Sequence, residues 1–403
     1  MNPEISDKFT LHSIEKIFRG KFSIASNVKL LWKGVDSFKT IFDSIRAAKE
    51  QICLAFYIFR NDETGKTLSE ILKEKSREGV RIYLLYDHFG SLGTPRSFWK
   101  GMKNAGIKIM ASRPFKWSNP FHYVHRDHRK LIIIDMKKAF TGGLNIANEY
   151  SGLHIKHRET SWRDTGIFMD GPIACELFKN FAKSWYAWGG EKIEHFCSNP
   201  KTADEVKPHS SESPELVKYK GGLLTIPIFS DSARGRRKMR KLLYYSINNS
   251  QKSINLTTAY FIPSWRMIDA LVNAVKRGVK VRLLVPDKSD VPAASYAGRA
   301  FFARLLHAGV DIYTYLGQIL HAKTYVFDDC WSIIGSTNLD FQSFRYNDEG
   351  NIGILDAGFA STLINILEED IKNSRKIDLE SWKNRPLFDK FKEHFFSLFR
   401  RRL

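Results

Sequence analysis

A short string that the chain carries twice constrains it most. His128-Arg129-Lys130 runs into Leu131-Ile132-Ile133-Ile134 and ends at Asp135; His321-Ala322-Lys323 runs into Thr324-Tyr325-Val326-Phe327 and ends at Asp328. The apolar filler between Lys and Asp reads as a buried strand. Residues two apart on a strand share a face, so His and Lys point the same way in each copy. A nucleophile or proton carrier beside a fixed positive charge suits chemistry on an anionic phosphate. The candidate catalytic set is therefore His128, Lys130 and Asp135 with His321, Lys323 and Asp328. Within it, each Asp stands an odd number of residues from its Lys, on the opposite face, which marks it as structural.

The segments just downstream of the two copies also match. Thr141-Gly142-Gly143-Leu144-Asn145 comes after the first, and Ile334-Gly335-Ser336-Thr337-Asn338 after the second. A small-residue turn lets backbone N–H groups approach an anion. Gly143 and Ser336, with the amides of Asn145 and Asn338 close behind, are thus expected to bind phosphate.

The repeat extends upstream. Ile52-Cys53-Leu54-Ala55-Phe56-Tyr57 is echoed by Ile254-Asn255-Leu256-Thr257-Thr258-Ala259-Tyr260, each followed by a helix ending in Gly79 or Gly278. Second strands come next at Val80–Leu85 and Val279–Leu284, then helices ending at Gly106 or Gly309. Strands alternating with helices of this length predict an α/β fold, a tandem duplication in which each repeat is a mainly parallel or mixed sheet flanked by helices. The expected division is an amphipathic segment over 1–30, a first repeat over 31–197, a linker over 198–222, a second repeat over 223–373 and a basic amphipathic tail over 374–403. Ser6 or Asp7 is the expected cap of the N-terminal helix, whose apolar face serves either its own domain or a membrane.

At 403 residues the chain suits two domains, and its net charge of +20 calls for a polyanionic partner, nucleic acid or an anionic membrane. Four scattered cysteines, without a C-x-x-C pair, argue against a disulfide framework or a zinc ribbon. No metal or other cofactor is expected. The start lacks a signal-peptide pattern, and no run approaches the ~18 apolar residues of a membrane span. In the tail, Leu387, Phe388, Phe391, Phe395, Phe396, Leu398 and Phe399 fall on one helical face among Lys and Arg, a pattern of interfacial type. The loop Arg113–Phe121 mixes aromatics with cations and suits a headgroup interface, stacked bases or a plain lid.

The paired motifs, with their turns and Asn residues, resemble the phospholipase D superfamily. Trp162-Arg163-Asp164-Thr165, Gly335-Ser336-Thr337-Asn338-Leu339-Asp340 and Ser295-Tyr296-Ala297-Gly298 resemble bacterial cardiolipin synthases, of the shorter type without N-terminal membrane helices. The resemblance implies one site at the pseudo-two-fold interface of two phospholipase D-like repeats. There His128 attacks phosphorus to form a phosphatidyl-histidine, and His321 serves as acid and base. Lys130 and Lys323 neutralise the phosphate. The family's Asn-x-Glu pattern, at Asn347-Asp348-Glu349, makes Glu349 the expected orienter of His321. Asp164 is the candidate partner of His128, with Glu149 as alternative. Gln342 departs from the family, where an Arg is usual.

The implied reaction joins two phosphatidylglycerol molecules into cardiolipin and releases glycerol. The alternatives are a hydrolytic phospholipase D and a nuclease of the same superfamily. The resemblance implies an anionic phospholipid membrane as partner and a peripheral place on the cell membrane, at its cytoplasmic face. Neither nucleic acid nor an obligate protein partner is expected.

Overall fold

Apolar strands and Gly-terminated amphipathic helices assemble, in the computed structural model, into two copies of one α/β unit. Residues 8–115, 125–153, 161–194 and 222–402 are described. The expected linker (apart from Gly222) and the loop from Lys116 to Phe121 lie outside them, as do Ser6 and Asp7.

The first copy comprises α1 (Leu11–Phe18), β1 (Ser23–Leu31), α2 (Gly34–Arg46), β2 (Gln51–Phe56), α3 (Glu63–Arg77), β3 (Arg81–Asp87), α4 (Arg96–Asn104), β4 (Lys108–Ser112), β5 (Leu131–Ile134), β6 (Lys138–Gly142), α5 (Asn148–Ser151), β7 (Gly166–Asp170) and α6 (Ile173–Ala187). The second comprises β8 (Leu223–Phe229), α7 (Ala233–Asn249), β9 (Ser253–Thr257), α8 (Trp265–Lys276), β10 (Lys280–Pro286), α9 (Pro292–Arg299), α10 (Phe302–Ala308), β11 (Asp311–Tyr315), β12 (Thr324–Phe327), β13 (Trp331–Gly335), α11 (Phe341–Arg345), β14 (Gly350–Leu355) and α12 (Ala357–Lys372). The chain ends with β15 (Ser374–Lys376), α13 (Leu379–Lys383) and α14 (Leu387–Leu398).

From its centre outward, the sheet runs β1-β7-β6-β5-β2-β3-β4 one way and β8-β14-β13-β12-β9-β10-β11 the other, with β15 added at the second edge. The two orders are the same. An antiparallel pairing of β1 with β8, Ser23 opposite Thr225 and Ala25 opposite Leu223, joins the halves. Only β2-β3-β4 and β9-β10-β11 are parallel; the remaining pairings are antiparallel, so each half is mixed rather than mainly parallel. The reason is local. Parallel neighbours need a crossover helix, which the chain supplies at α3, α4, α8 and α10. From β5 to β6 and from β12 to β13 it supplies a tight hairpin.

Those hairpins explain the motif Asp. Asp135 and Asp328 stand at φ 51° and 47°, a left-handed conformation that Asp tolerates better than most residues. The Asp135 carboxylate accepts the backbone N–H groups of Lys49, Glu50 and Gln51 at 2.8–2.9 Å, and Asp328 accepts those of Gln251, Lys252 and Ser253 at 2.7–3.1 Å. Both therefore pin the hairpin to the start of the neighbouring strand. They are no part of a catalytic set, as strand parity implies.

The expected outer boundaries also shift. Residues 8–30, the described part of the expected N-terminal segment, are not separate, because β1 is the strand at which the halves meet. Helix α1, capped by Thr10 rather than by Ser6 or Asp7, buries Ile14 and Phe18 with Phe9 and Phe22 in the core of the second half, beside Leu242 and Trp331. Burial on that scale contributes about 1.5–3 kcal/mol per large side chain, enough to commit the apolar face to the protein. A further core, shared between the halves, combines Ala139, Ile167 and Met169 with Ile334, Ile352 and Ile354, closed by α6 and α12. It fixes the halves face to face.

Asp328→Ala should lower stability by about 1–3 kcal/mol, since it takes the acceptor from three N–H groups of a partly buried turn. Denaturant unfolding checks this, and the folded fraction should keep its activity.

Candidate active site

Each motif strand delivers its His and Lys to one face. Lys130 Nζ donates to the His128 carbonyl at 2.7 Å, and Lys323 Nζ donates to the His321 carbonyl, so each ammonium is held beside its own imidazole. All four side chains are buried.

The carboxylates come from across the interface. His128 Nδ1 lies 3.0 Å from Glu349 Oε2, and His321 Nδ1 lies 2.6 Å from Asp164 Oδ2. The expected pairing, Glu349 with His321 and Asp164 with His128, is thus reversed. Glu149, the alternative, pairs with Arg60 at 3.0 Å. Backbone bonds impose the exchange. The His128 N–H donates to the carbonyl of Asp348, the residue before Glu349, at 2.8 Å; the His321 N–H donates to that of Arg163, the residue before Asp164, also at 2.8 Å. Short parallel bridges, Asp127 with Asp348 and Arg163 with Leu320, repeat the same link around the pseudo-dyad. Two ion-pair clusters brace these bridges. Arg129 binds Asp127, and Arg163 grips Asp370 with Nε at 2.9 Å and Nη2 at 2.8 Å.

Gly143 and Ser336 serve these carboxylates instead of a phosphate. Their N–H groups are already spent on the carbonyls of Thr165 and Gly350, at 2.9 and 3.1 Å. A Cβ on Gly143 would fall 2.0 Å from Asp164 Oδ1, so only glycine leaves room for that carboxylate. At the equivalent place, the Ser336 hydroxyl donates to Glu349 and accepts from the Gly350 N–H at 3.0 Å. Asn145 and Asn338 do face the site. Asn145 Oδ1 accepts from the Ile58 N–H at 3.1 Å and Asn338 Oδ1 from the Tyr260 N–H at 3.3 Å, which turns both amide nitrogens away from those strands. The buried Asn145 amide also bonds the Tyr150 hydroxyl, another wall of the same cavity.

Both imidazoles, both Asn side chains, Tyr57, Tyr150, Trp162 and Tyr260 line one cavity of about 610 Å³. Burial, reinforced by Lys130, depresses the His128 pKa, with Glu349 opposing. Burial and then Lys323 bring His321 down to about 4, with Asp164 opposing. Both rings are therefore neutral near pH 7. A carboxylate only accepts, so the bond at Nδ1 assigns the His128 ring proton to that nitrogen and leaves Nε2 basic; at His321, Nδ1 also lies 2.7 Å from Lys323 Nζ. Burial also lowers Lys130 to about 7 and depresses Lys323, although Glu349 and Asp164 support their charge. For Asp164 and Glu349 burial disfavours ionisation. It is outweighed by Lys323 and His321 at Asp164, and by His128 and Lys130 at Glu349, so both pKa values fall below normal.

Each lysine is thus matched by a carboxylate, and Arg126, Arg402, Asp290 and Asp340 line the same cavity. A phosphodiester anion entering between the rings favours the protonated form of an imidazole beside it. One neutral nucleophilic ring opposite one protonated ring is the state that phosphoryl transfer through a covalent histidine requires.

Other cavity residues carry weaker signals in the sequence. The Tyr260 hydroxyl donates to Asp290 at 2.7 and 2.9 Å. Burial pushes Asp340 up to about 7, while its carboxylate caps α11 through the Ser343 N–H at 2.7 Å. Asp340 ends the Gly335–Asp340 run, which is where its signal lay; nothing local marks Asp290.

Two imidazoles with crossed carboxylates over one cavity, on a duplicated α/β fold, define a phosphodiester-transfer site. The family model described as "Cardiolipin synthase, PLD-like domain" matches residues 41–185 and 243–371, once per half. The probable cardiolipin synthase YwiE of Bacillus subtilis is 33% identical over 93% of this chain and 72% of its own. Cardiolipin synthase A of Pseudomonas putida is 32% identical over 93% of this chain and 74% of its own. The chain belongs to the cardiolipin synthase family of phospholipase D-like proteins. Among solved structures, phosphatidylserine synthase of Haemophilus influenzae shares the fold, with a TM-score of 0.74 at 15% identity, over 96% of this chain and 98% of that one.

Gly143→Ala should displace Asp164, lower kcat on the order of a hundredfold and cost about 1–3 kcal/mol of stability. Steady-state kinetics with a melting curve check it. A pH profile checks the lysine. Lys130, brought down to about 7 by burial, loses its proton as pH rises and with it the charge that receives phosphate. kcat/KM should therefore fall by about tenfold per pH unit on the alkaline side. A flat profile from pH 6 to 9 would contradict this.

Proposed function

We propose that this protein transfers the phosphatidyl group of one phosphatidylglycerol to a second, forming cardiolipin and releasing glycerol. As a member of the cardiolipin synthase family it is a phosphatidyltransferase acting on phospholipid. The observation that carries the reading is the crossed pair of His–carboxylate hydrogen bonds around one cavity.

In the first step, Nε2 of one His attacks phosphorus, the bond from phosphorus to the glycerol oxygen breaks, and the other His gives its proton to that oxygen. In the second, a glycerol hydroxyl of the acceptor lipid returns a proton to the same His, its oxygen bonds to phosphorus, and the phosphorus–nitrogen bond breaks. The family resemblance makes His128 the nucleophile and His321 the acid and base. Lys130, Lys323, Asn145 and Asn338 stabilise the charge on the phosphoryl oxygens, the largest lever a protein has on such a transfer.

On this reading the reaction runs at the cytoplasmic face of the cell membrane, with the protein bound peripherally. The net charge of +20 favours an anionic surface. Among the described residues no helix is long and apolar enough to cross a membrane.

Labelled phosphatidylglycerol incubated with the pure protein should give cardiolipin and free glycerol in equal amounts by mass spectrometry. Phosphatidic acid as the main product would establish hydrolysis instead. A lipid with an activated leaving group, which needs no acid, should trap a phosphatidyl adduct on the His321→Ala variant, whereas His128→Ala should form none. The reverse pattern would exchange the two roles.

A further inference from the structure

Helix α14 lies against the body with its polar side inward. Glu393 is its one buried residue, and its carboxylate receives Arg385 Nε at 3.0 Å and Arg299 Nε at 3.1 Å. Next to it, Phe396 stacks on Tyr296 of α9 with ring centroids 5.9 Å apart. The opposite face presents Leu387, Phe388, Phe391, Phe395, Leu398 and Phe399, between 44% and 80% exposed. An amphipathic helix on a soluble body normally turns such a stripe inward. Here two ion pairs to the buried Glu393 hold the helix in the other orientation, because rolling it would break both and leave Arg299 and Arg385 unpaired.

The face has a neighbour. After α14 the chain turns back to the catalytic cavity, where the Gln342 side-chain amide donates to the Arg402 carbonyl at 2.8 Å and Arg402 lines the cavity together with His128 and His321. Among the described residues no carboxylate forms an ion pair with Arg402. Val291, just before α9 and 39% exposed, stands at the same rim. Gln342 occupies the position where the resemblance implies an arginine, and its amide instead holds an arginine from the tail.

We propose that α14 inserts its phenylalanine face into an anionic phospholipid bilayer, and that Arg402 binds the phosphate of a headgroup passing from that bilayer into the cavity. Two features select a bilayer as the occupant. The stripe is flanked by Lys390, Lys392 and Arg401, a basic margin complementary to anionic headgroups. It also borders the cavity in which a lipid headgroup reacts, so a bilayer seated there reaches the site without the lipid leaving it. The proposal rests on the phosphatidyl-transfer reading for the role of Arg402, and on geometry alone for the contact of α14 with the bilayer.

The test compares the full chain with the triple variant Phe388→Ser/Phe391→Ser/Phe395→Ser and with Arg402→Ala. Binding is measured by co-sedimentation with vesicles of phosphatidylglycerol and phosphatidylcholine. Turnover is measured both on those vesicles and on a monomeric short-chain phosphatidylglycerol. The triple variant should lose at least tenfold in vesicle affinity, and its ratio of vesicle to monomeric turnover should fall by a similar factor. Arg402→Ala should raise KM about fivefold on both substrate forms with kcat within about twofold, and Arg402→Lys should recover most of the loss. Unchanged vesicle binding in the triple variant overturns the bilayer contact. So does a wild-type dimer that the triple variant dissociates without loss of vesicle binding, since a second copy would then cover the face. An unchanged KM in Arg402→Ala overturns the headgroup contact. If the wild type transfers nothing on either substrate form, the phosphatidyl-transfer reading fails, while co-sedimentation still decides the role of α14.

Discussion

Each motif imidazole of this protein is held by a carboxylate that belongs to the other half of the chain. His128 with Glu349 and His321 with Asp164 are not independent pairs, because each His also donates its backbone N–H to the residue just before that carboxylate. The main-chain link sets the register of the interface, and the side-chain link sets the tautomer of the ring. Neither half holds a finished histidine alone. The pseudo-two-fold is thus a chemical requirement as well as a symmetry of the fold, and the shared apolar core and the β1–β8 pairing keep the halves close enough to meet it.

Packing two lysines, two carboxylates and two imidazoles into one buried space is costly unless the charges cancel. Here each lysine is matched by a carboxylate, and burial together with the lysines depresses both His pKa values, so both rings rest neutral. An anion bound between the rings favours the protonated form of either, which ties the proton a leaving group needs to the binding of phosphate.

Much of this was legible in the sequence, for definite reasons. The two His-x-Lys strings lie on strands, where a period of two fixes which side chains face together, and the same parity put Asp135 and Asp328 outside the site. Helices closed by Gly79, Gly106, Gly278 and Gly309 set the order of elements, and all four glycines have positive φ. What was not legible depends on contacts between distant segments. A carboxylate such as Asp164 has no local sign of whether its histidine lies in its own half or the other, and the exchange arises only from the way β7 and β14 enter the interface. Gly143 and Ser336 look like an anion-binding turn, yet their N–H groups are consumed by neighbouring strands and their small size accommodates carboxylates. The N-terminal helix shows its amphipathic pattern plainly, but the pattern does not name the surface it covers, which is the core of the second half.

The crossing of the carboxylates bears on how such a chain is made. While synthesis runs from the first residue toward the last, His128 stays without a partner until Glu349 has emerged and the second half has closed over it. A chain that stops short of Glu349 therefore carries the first motif without the carboxylate that orients its histidine.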